Sequence, residues 1–260
     1  MNCFVLLINM GRIIGVFSGK GGVGKTTTVA NLGSALSHDF GRKVIAIDAN
    51  TSGSSLGIHL GMHFNPLTLN NVLKGDVEVW SAISEHGSGM WVLPSSIKLK
   101  DYFVDHSRLP KIIKKTSKRF DIVLIDTAPT LGDETLWVLN AIEEAILVIN
   151  PDLPSVVESL KMAKLINNYG VKILGVVVNR DRKNAPLGDE QIENLMGLPI
   201  ISKISDDKDV EKSIKYNVPV VHMEPYSKSA LSFKKLAADI VDEKFQKPSF
   251  VEFIRWRLGW

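Results

Sequence analysis

Two lysines, Lys20 and Lys25, stand in a glycine-rich run, Gly19-Lys20-Gly21-Gly22-Val23-Gly24-Lys25-Thr26-Thr27. Residues of these types at this spacing do phosphate chemistry: Gly19 to Thr26 satisfies G-x-x-x-x-G-K-[ST], between an apolar run, Ile13 to Phe17, and a helical stretch from Thr26 to Leu36. Gly21, Gly22 and Gly24 lack the β-carbons that would hold phosphate oxygens away from backbone amides, and they permit the positive φ values of a concave nest. The helix opening near Lys25 adds unpaired N–H groups and the positive end of its dipole. Lys25 is then placed to meet β- and γ-phosphates, and the Thr26 hydroxyl to ligate Mg²⁺. A glycine turn without a ligand is the bland alternative.

Two carboxylates stand where such a loop needs them. Asp48 follows Val44-Ile45-Ala46-Ile47, and Asp126 follows Ile122-Val123-Leu124-Ile125. A hydrophobic strand ending in aspartate is the Walker-B form, able to hold Mg²⁺ directly or through water. Asp48 can equally cap a turn or a helix start. Thr127-Ala128-Pro129-Thr130 continues from Asp126 as a rigid turn whose backbone can sense a γ-phosphate, unless Pro129 merely ends the strand.

The elements that must position these residues are legible as short apolar runs alternating with helical patterns. Strand candidates are Ile13–Phe17, Val44–Ile47, Met90–Leu93, Ile122–Ile125, Ala145–Ile149, Ile173–Val178 and Ile200–Ile204. Several are apolar throughout, as strands covered on both faces are, and the intervening helices make right-handed parallel crossovers. The expected fold is a doubly wound α/β class with a mostly parallel sheet. Ligands bind such sheets at the carboxyl ends of the strands, so Gly19–Thr27, Asp48–Ser55, Asp126–Thr130 and Asn179–Arg180 should converge on one crevice.

Composition narrows the classes. The chain has 260 residues, 45% hydrophobic and 23% charged, enough for a large core in one domain. A net charge of +3 gives little support for a nucleic-acid partner. The single cysteine, Cys3, excludes an intramolecular disulfide and any four-cysteine cluster within one chain, and it suggests a reducing compartment. His59, His63, His86 and His106 lack the helical pairing with carboxylates that would argue for zinc. Phe4 to Ile8 is too short to span a bilayer and has no basic flank. Residues 1–9 read as an extension of uncertain meaning, with Met10 as an expected translation start. The main domain is expected over residues 10–246, and a separate tail over residues 247–260.

Lys20 to Thr27, Asp48-Ala49-Asn50, Phe120 to Pro129 and Val178-Asn179-Arg180 together resemble the deviant Walker-A ATPases of the MinD/ParA class, SIMIBI-type P-loop NTPases, over nearly the whole chain. The resemblance implies ATP and Mg²⁺ as cofactors and a homodimer that forms when ATP is bound. It implies that Lys20 reaches across to the partner's phosphates, where a cation supplied in trans stabilises developing charge. By the same resemblance Asn179 reads the adenine, with Arg180 beside it and Pro151-Asp152 in the other loop that lines the base; an amide suits this role because it both donates and accepts. An asparagine turn after a buried strand is the alternative. The family usually has Asp-x-Asp after the second strand, the second aspartate orienting or activating the attacking water. Here that position is Asn50, which cannot accept a proton, so slow turnover and a long-lived ATP dimer are expected. Ser55 stands where the family commonly has asparagine. Iron–sulfur carriers of the superfamily fit worse, because Cys3 stands alone.

The C-terminus separates the branches of that class. Pro248 breaks the chain, and Ser249 can cap a short helix, Phe250 to Trp260. At about 100° per residue, Phe250, Val251, Phe253, Ile254, Leu258 and Trp260 share an apolar arc, and Trp256 and Trp260 suit a membrane interface. Arg257 falls within the arc and can snorkel. The segment resembles the membrane-targeting tail of the MinD branch, implying a cytoplasmic protein that attaches reversibly to the inner face of the cell membrane, two tails per ATP dimer giving avidity. Docking of this helix on its own domain is the alternative. An unidentified regulatory protein completes the expected partners. The other readings are a ParA-like partitioning ATPase that binds DNA, and a slow or non-hydrolysing ATP-dependent adaptor. Lys111, Lys114, Lys115, Lys118 and Arg119 form the dense basic run; their helical spacing reads as a solvated face rather than a DNA footprint. Trp137 and Leu139 fit either the dimer interface or the core.

Overall fold

The structure, a computed structural model, describes residues 10–101, 103–129 and 131–258, and of Phe250 only the backbone. The expectations placed on residues 1–9, Cys3, Thr130, the side chain of Phe250, and Trp260 lie outside the described residues.

Along the chain the elements are β1 (Arg12–Phe17), α1 (Lys25–His38), β2 (Val44–Asp48), α2 (Leu56–His59), α3 (Leu69–Lys74), β3 (Ser84–Glu85), β4 (Trp91–Leu93), α4 (Leu109–Thr116), β5 (Ile122–Asp126), α5 (Asp133–Leu139) and β6 (Glu144–Ile149). They continue as α6 (Leu153–Asn168), β7 (Lys172–Asp181), α7 (Asp189–Met196), β8 (Ile200–Ser205), α8 (Lys208–Tyr216), α9 (Val220–Met223), α10 (Lys228–Ile240) and α11 (Phe250–Leu258). The strands form one 8-stranded sheet in the order β3-β4-β2-β5-β1-β6-β7-β8. Every pairing is parallel except β3 with β4, whose short antiparallel edge strand the apolar pattern does not reveal.

The two-fold alternation of a strand explains how this sheet is covered. Ile13, Phe17, Ile45, Ile47, Val123 and Ile125 point into a core layer closed by Leu109, Ile113, Val138, Met162 and Ile166 from α4, α5 and α6. Ile14, Val16, Val44, Ala46, Leu124 and Ile146 point the other way, onto Val29, Leu32 and Leu36 of α1 and Phe233, Leu236 and Ile240 of α10. Both faces are therefore dry, which is why these strands read as unbroken apolar runs. The expected doubly wound α/β fold is the one observed.

Two element boundaries differ from the expected ones, and a third, the start of the tail helix, forms at the expected cap. The helical pattern from Ser229 to Phe245 ends at Ile240, because Asp242 takes a left-handed φ of 54° that stops the helix. β7 runs past Val178 to Asp181, through an irregular register and a left-handed Arg180 at φ 54°. The tail helix forms, started by a capping box in which Glu252 N–H donates to Ser249 Oγ at 3.3 Å and Ser249 N–H to Glu252 Oε2 at 2.6 Å.

The tail's apolar arc, however, is divided rather than single. Phe253 and Trp256 pack on Tyr226, with ring centroids 5.7 and 5.3 Å away. Val251, Ile254 and Leu258 face outward, with Leu258 65% exposed, and the Arg257 guanidinium lies 5.9 Å from the Phe253 ring. The expectation that Phe253 shares one outward arc with Val251, Ile254 and Leu258, with Trp256 at a membrane interface, is corrected: Tyr226 holds the two aromatics on the domain.

Candidate functional site

β1 delivers the chain at Phe17 to the glycine loop, and α1 opens at Lys25 behind Gly24 in a left-handed conformation, φ 100°. Two glycines of this loop are required by packing. A β-carbon on Gly19 would lie 2.1 Å from the carbonyl carbon of Glu158 in α6, and one on Gly24 would lie 2.1 Å from Asn179 Nδ2. Nothing lies within 4 Å of the corresponding position on Gly22, at φ 75°, and Lys20, Gly21 and Gly22 are exposed, so the loop is open to solvent.

Within the loop the Lys25 ammonium donates to Ser18 Oγ at 3.0 Å, and Ser18 Oγ donates to the Lys20 carbonyl at 2.7 Å. Burial lowers the pKa of Lys25, opposed by the charge of Asp126. Lys20 itself projects exposed at the rim, and Thr27 is buried.

The two strand-end aspartates are neighbours: β2 and β5 are in register with Asp48 opposite Asp126. Both are buried. Burial, then the charge of Asp126, pushes Asp48 up to about 7, and burial raises Asp126 against the opposing charge of Lys25. Their hydrogen bonds divide their roles. Asp48 Oδ2 accepts from Ser54 Oγ at 2.9 Å and from the Ser55 and Leu56 N–H groups, both at 3.2 Å, while Oδ1 accepts from the Asn50 N–H at 3.3 Å. Those bonds shape the loop after β2. Asp126 Oδ2 accepts from Thr26 Oγ1 at 2.7 Å, and its Oδ1 is buried with no hydrogen-bond partner.

A buried, unpaired carboxylate oxygen beside a threonine hydroxyl fits a divalent cation, since oxygen is the donor Mg²⁺ prefers. No group of three His, Cys, Asp or Glu able to hold a metal occurs among the described residues, so phosphate oxygens and water would have to complete the ion's shell.

Asn50 turns back on its own loop, its Nδ2 donating to the Gly53 carbonyl at 2.9 Å. Asn179 is buried, and its Nδ2 donates to the Val23 carbonyl at 2.7 Å, bracing the glycine loop from β7. Arg180 and Asp152 line a cavity of about 390 Å³ with Asn150, Pro151, Arg182 and Pro186. Asp152 is also the N-cap of α6, its Oδ1 accepting from the Ser155 N–H at 2.9 Å.

The four loops expected to converge do so at the carboxyl edge of β1, β2, β5 and β7. Three residues there are invisible to pattern reading. Ser55, noticed in the sequence only as a departure, shares a hydrogen bond with Thr26 Oγ1 at 2.8 Å. His59, singled out in the sequence only as lacking a zinc-like pairing, lies 3.4 Å from Thr27 Oγ1 and ties α2 to α1. Asn150 lines the cavity beside Asp152 with a buried Oδ1 that has no partner. Of the basic run, Lys115 pairs with Glu78 at 2.6 Å and the Arg119 guanidinium lies 4.0 Å from the Trp80 ring, so two of its charges are engaged locally. Leu139 is in the core, whereas Trp137 is exposed.

A family model described as the CobQ/CobB/MinD/ParA nucleotide binding domain matches residues 14–220. An uncharacterised ATP-binding protein of Methanocaldococcus jannaschii is 32% identical over 259 residues, covering 96% of this chain and 98% of that protein. The cell division ATPase MinD of Pyrococcus furiosus superposes with a TM-score of 0.86 at 36% identity, covering 90% of this chain and 99% of that one. The septum site-determining protein MinD of Pyrococcus horikoshii, solved as a complex with Mg-ADP, superposes with a TM-score of 0.85 at 33% identity, over 89% of this chain and 96% of that one. With its glycine loop, paired strand-end aspartates and doubly wound sheet, the chain belongs to the CobQ/CobB/MinD/ParA nucleotide-binding family.

Proposed function

We propose that this chain is a MinD-like ATP switch. It binds ATP with Mg²⁺, pairs with a second copy, hydrolyses ATP slowly and attaches to a membrane surface to control spatial positioning, at a division site or an equivalent location. One observation carries the reading: buried Lys25, the Thr26 hydroxyl and the unpaired Asp126 oxygen meet beside an open glycine loop. Lys25 and the loop amides hold the β- and γ-phosphates. Thr26 and Asp126 hold the cation, and Asp48 keeps the neighbouring loop in shape. Bound Mg²⁺ supplies charge neutralisation between the phosphates. Arg180, Asp152 and Asn150 form the wall against which the base rests, and Asn179 holds the loop beneath it. Lys20, exposed at the rim, is free to reach the partner's phosphates. Asn50 neither carries charge nor points away from its own loop, which supports slow turnover.

Residues 247–260 act as the membrane-facing tail, with Val251, Ile254 and Leu258 as the outward apolar stripe and Arg255 and Arg257 exposed beside it. No helix among the described residues is long and apolar enough to cross a membrane.

Light scattering with ATP, ADP and no nucleotide tests the switch. The expected mass doubles with ATP alone, and Lys20→Ala stays monomeric; a mass that ignores nucleotide refutes it. Asn50→Asp is expected to speed single-turnover hydrolysis at least tenfold, whereas a wild type already fast and unchanged by the substitution refutes the assignment of Asn50. The turned-back Asn50 also favours a second reading, an adaptor that binds ATP without hydrolysing it, and absence of phosphate release over many hours selects that reading.

A further inference from the structure

Two loops border the phosphate site, one after β2 and one after β5, and side chains outside the nucleotide-binding set join them. Thr51 is buried, 3% exposed, in the first loop, next to Asn50. Its Oγ1 lies 2.9 Å from Glu134 Oε1, in the first turn of α5, and 2.7 Å from His106 Nε2, from the segment ahead of α4. His106 Nε2 and Glu134 Oε1 are 3.7 Å apart, with side chains 12% and 13% exposed. A hydroxyl has one proton, and a carboxylate only accepts. Thr51 therefore donates to Glu134 and accepts from His106, which fixes the proton on His106 Nε2. Glu134 Oε2 is buried without a partner, so the carboxylate is held against Thr51 on one side only.

The placement matters because of what Asn50 does. Its own amide bonds Gly53 within the loop, and the Asp48 carboxylate accepts from the same loop. Among the described residues, the Thr51–Glu134 bond is a direct side-chain link between the loop after β2 and the segment that follows the Asp126 turn. We propose that Thr51, His106 and Glu134 form a clasp coupling these two loops, and that Glu134, acting through Thr51, is a positioning residue for the Asn50 loop at the γ-phosphate. The inference rests on the ATP-switch reading for its link to hydrolysis, but the clasp itself exists without nucleotide.

The test uses the full chain and the variants Thr51→Val, Thr51→Ser and Glu134→Gln. Thr51→Val keeps shape and removes the hydroxyl; Thr51→Ser keeps the hydroxyl. Hydrogen exchange of residues 49–55 and 131–136 is read first without nucleotide. Thr51→Val should raise exchange in both segments together at least fivefold and Thr51→Ser should not, while melting temperatures stay within a few degrees. With ATP, Thr51→Val and Glu134→Gln should lower single-turnover hydrolysis at least tenfold and change ATP affinity less than threefold, with Thr51→Ser again close to wild type. Exchange in only one segment, or equal effects of serine and valine, overturns the clasp. Coupled exchange with unaltered hydrolysis overturns the positioning role. If the wild type hydrolyses no ATP, the switch reading fails while the nucleotide-free exchange still decides the clasp.

Discussion

At the scale of single residues, the most consequential finding is that the two strand-end aspartates are not equivalent. Asp48 spends its oxygens on four donors of its own loop, and Asp126 keeps one oxygen unpaired. Lying opposite each other in register and out of water, they resist being ionised together. The consequence for stability has a definite sign. In the unfolded chain Asp48 loses its proton near 3.8, and in the folded, nucleotide-free protein near 7. Between those values the folded state binds more protons, so stability falls as pH rises across the window, on the order of 2 kcal/mol between pH 5 and 7. Asp126→Asn removes the like-charged neighbour, and this fall should shrink. Urea unfolding in chelator at several pH values checks the prediction through the difference between wild type and variant, which reports the loss of Asp126's own raised titration together with its effect on Asp48; equal slopes would disprove the coupling.

Among the elements, α11 shows how a short helix can present two apolar faces. Phe253 and Trp256, three residues apart, turn inward to Tyr226, while Val251, Ile254 and Leu258 continue the outward stripe. An aromatic contact of this kind contributes about 1 kcal/mol, a factor of about five in the docked population. Tyr226→Ala should therefore speed tryptic cleavage after Lys244 about fivefold, with little change in the melting of the domain. Sedimentation with anionic vesicles should increase in the same variant and vanish in a chain ending at Gln246. Unchanged cleavage would show that α11 is held by something other than Tyr226.

For the whole molecule, the central strands β5, β1 and β6 are packed on both faces, and the glycine loop hangs from the middle one. The site is anchored in the most buried part of the sheet, so occupancy of the loop should be felt throughout the fold. Mg-ADP at a hundredfold excess over its dissociation constant should stabilise by about 2.7 kcal/mol. For a chain of this size that raises the melting temperature by roughly 5–10 °C. Lys25→Ala should abolish the rise without lowering the nucleotide-free melting temperature, because removing a buried ammonium relieves a desolvation cost. Calorimetry with and without Mg-ADP measures both; an undiminished rise in the variant would move the phosphate site elsewhere.

The amino-acid sequence alone determined the fold class, the seven longer strands and the place of the glycine loop between β1 and α1. Each is a local pattern: unbroken apolar runs because both sheet faces are dry, glycines where backbone must approach an anion, an aspartate at a strand end. Tertiary structure decided what depends on distant partners. That Gly19 abuts Glu158, that Asn179 braces Val23 and that Asp126 keeps a free oxygen are matters of three-dimensional neighbourhood. The end of α10 was decided by one left-handed residue, and the division of the tail's apolar arc by Tyr226, a residue well upstream of the tail. Thr51, His106 and Glu134 belong to no motif, and they meet only because the crossovers of a parallel sheet bring successive loops to one edge.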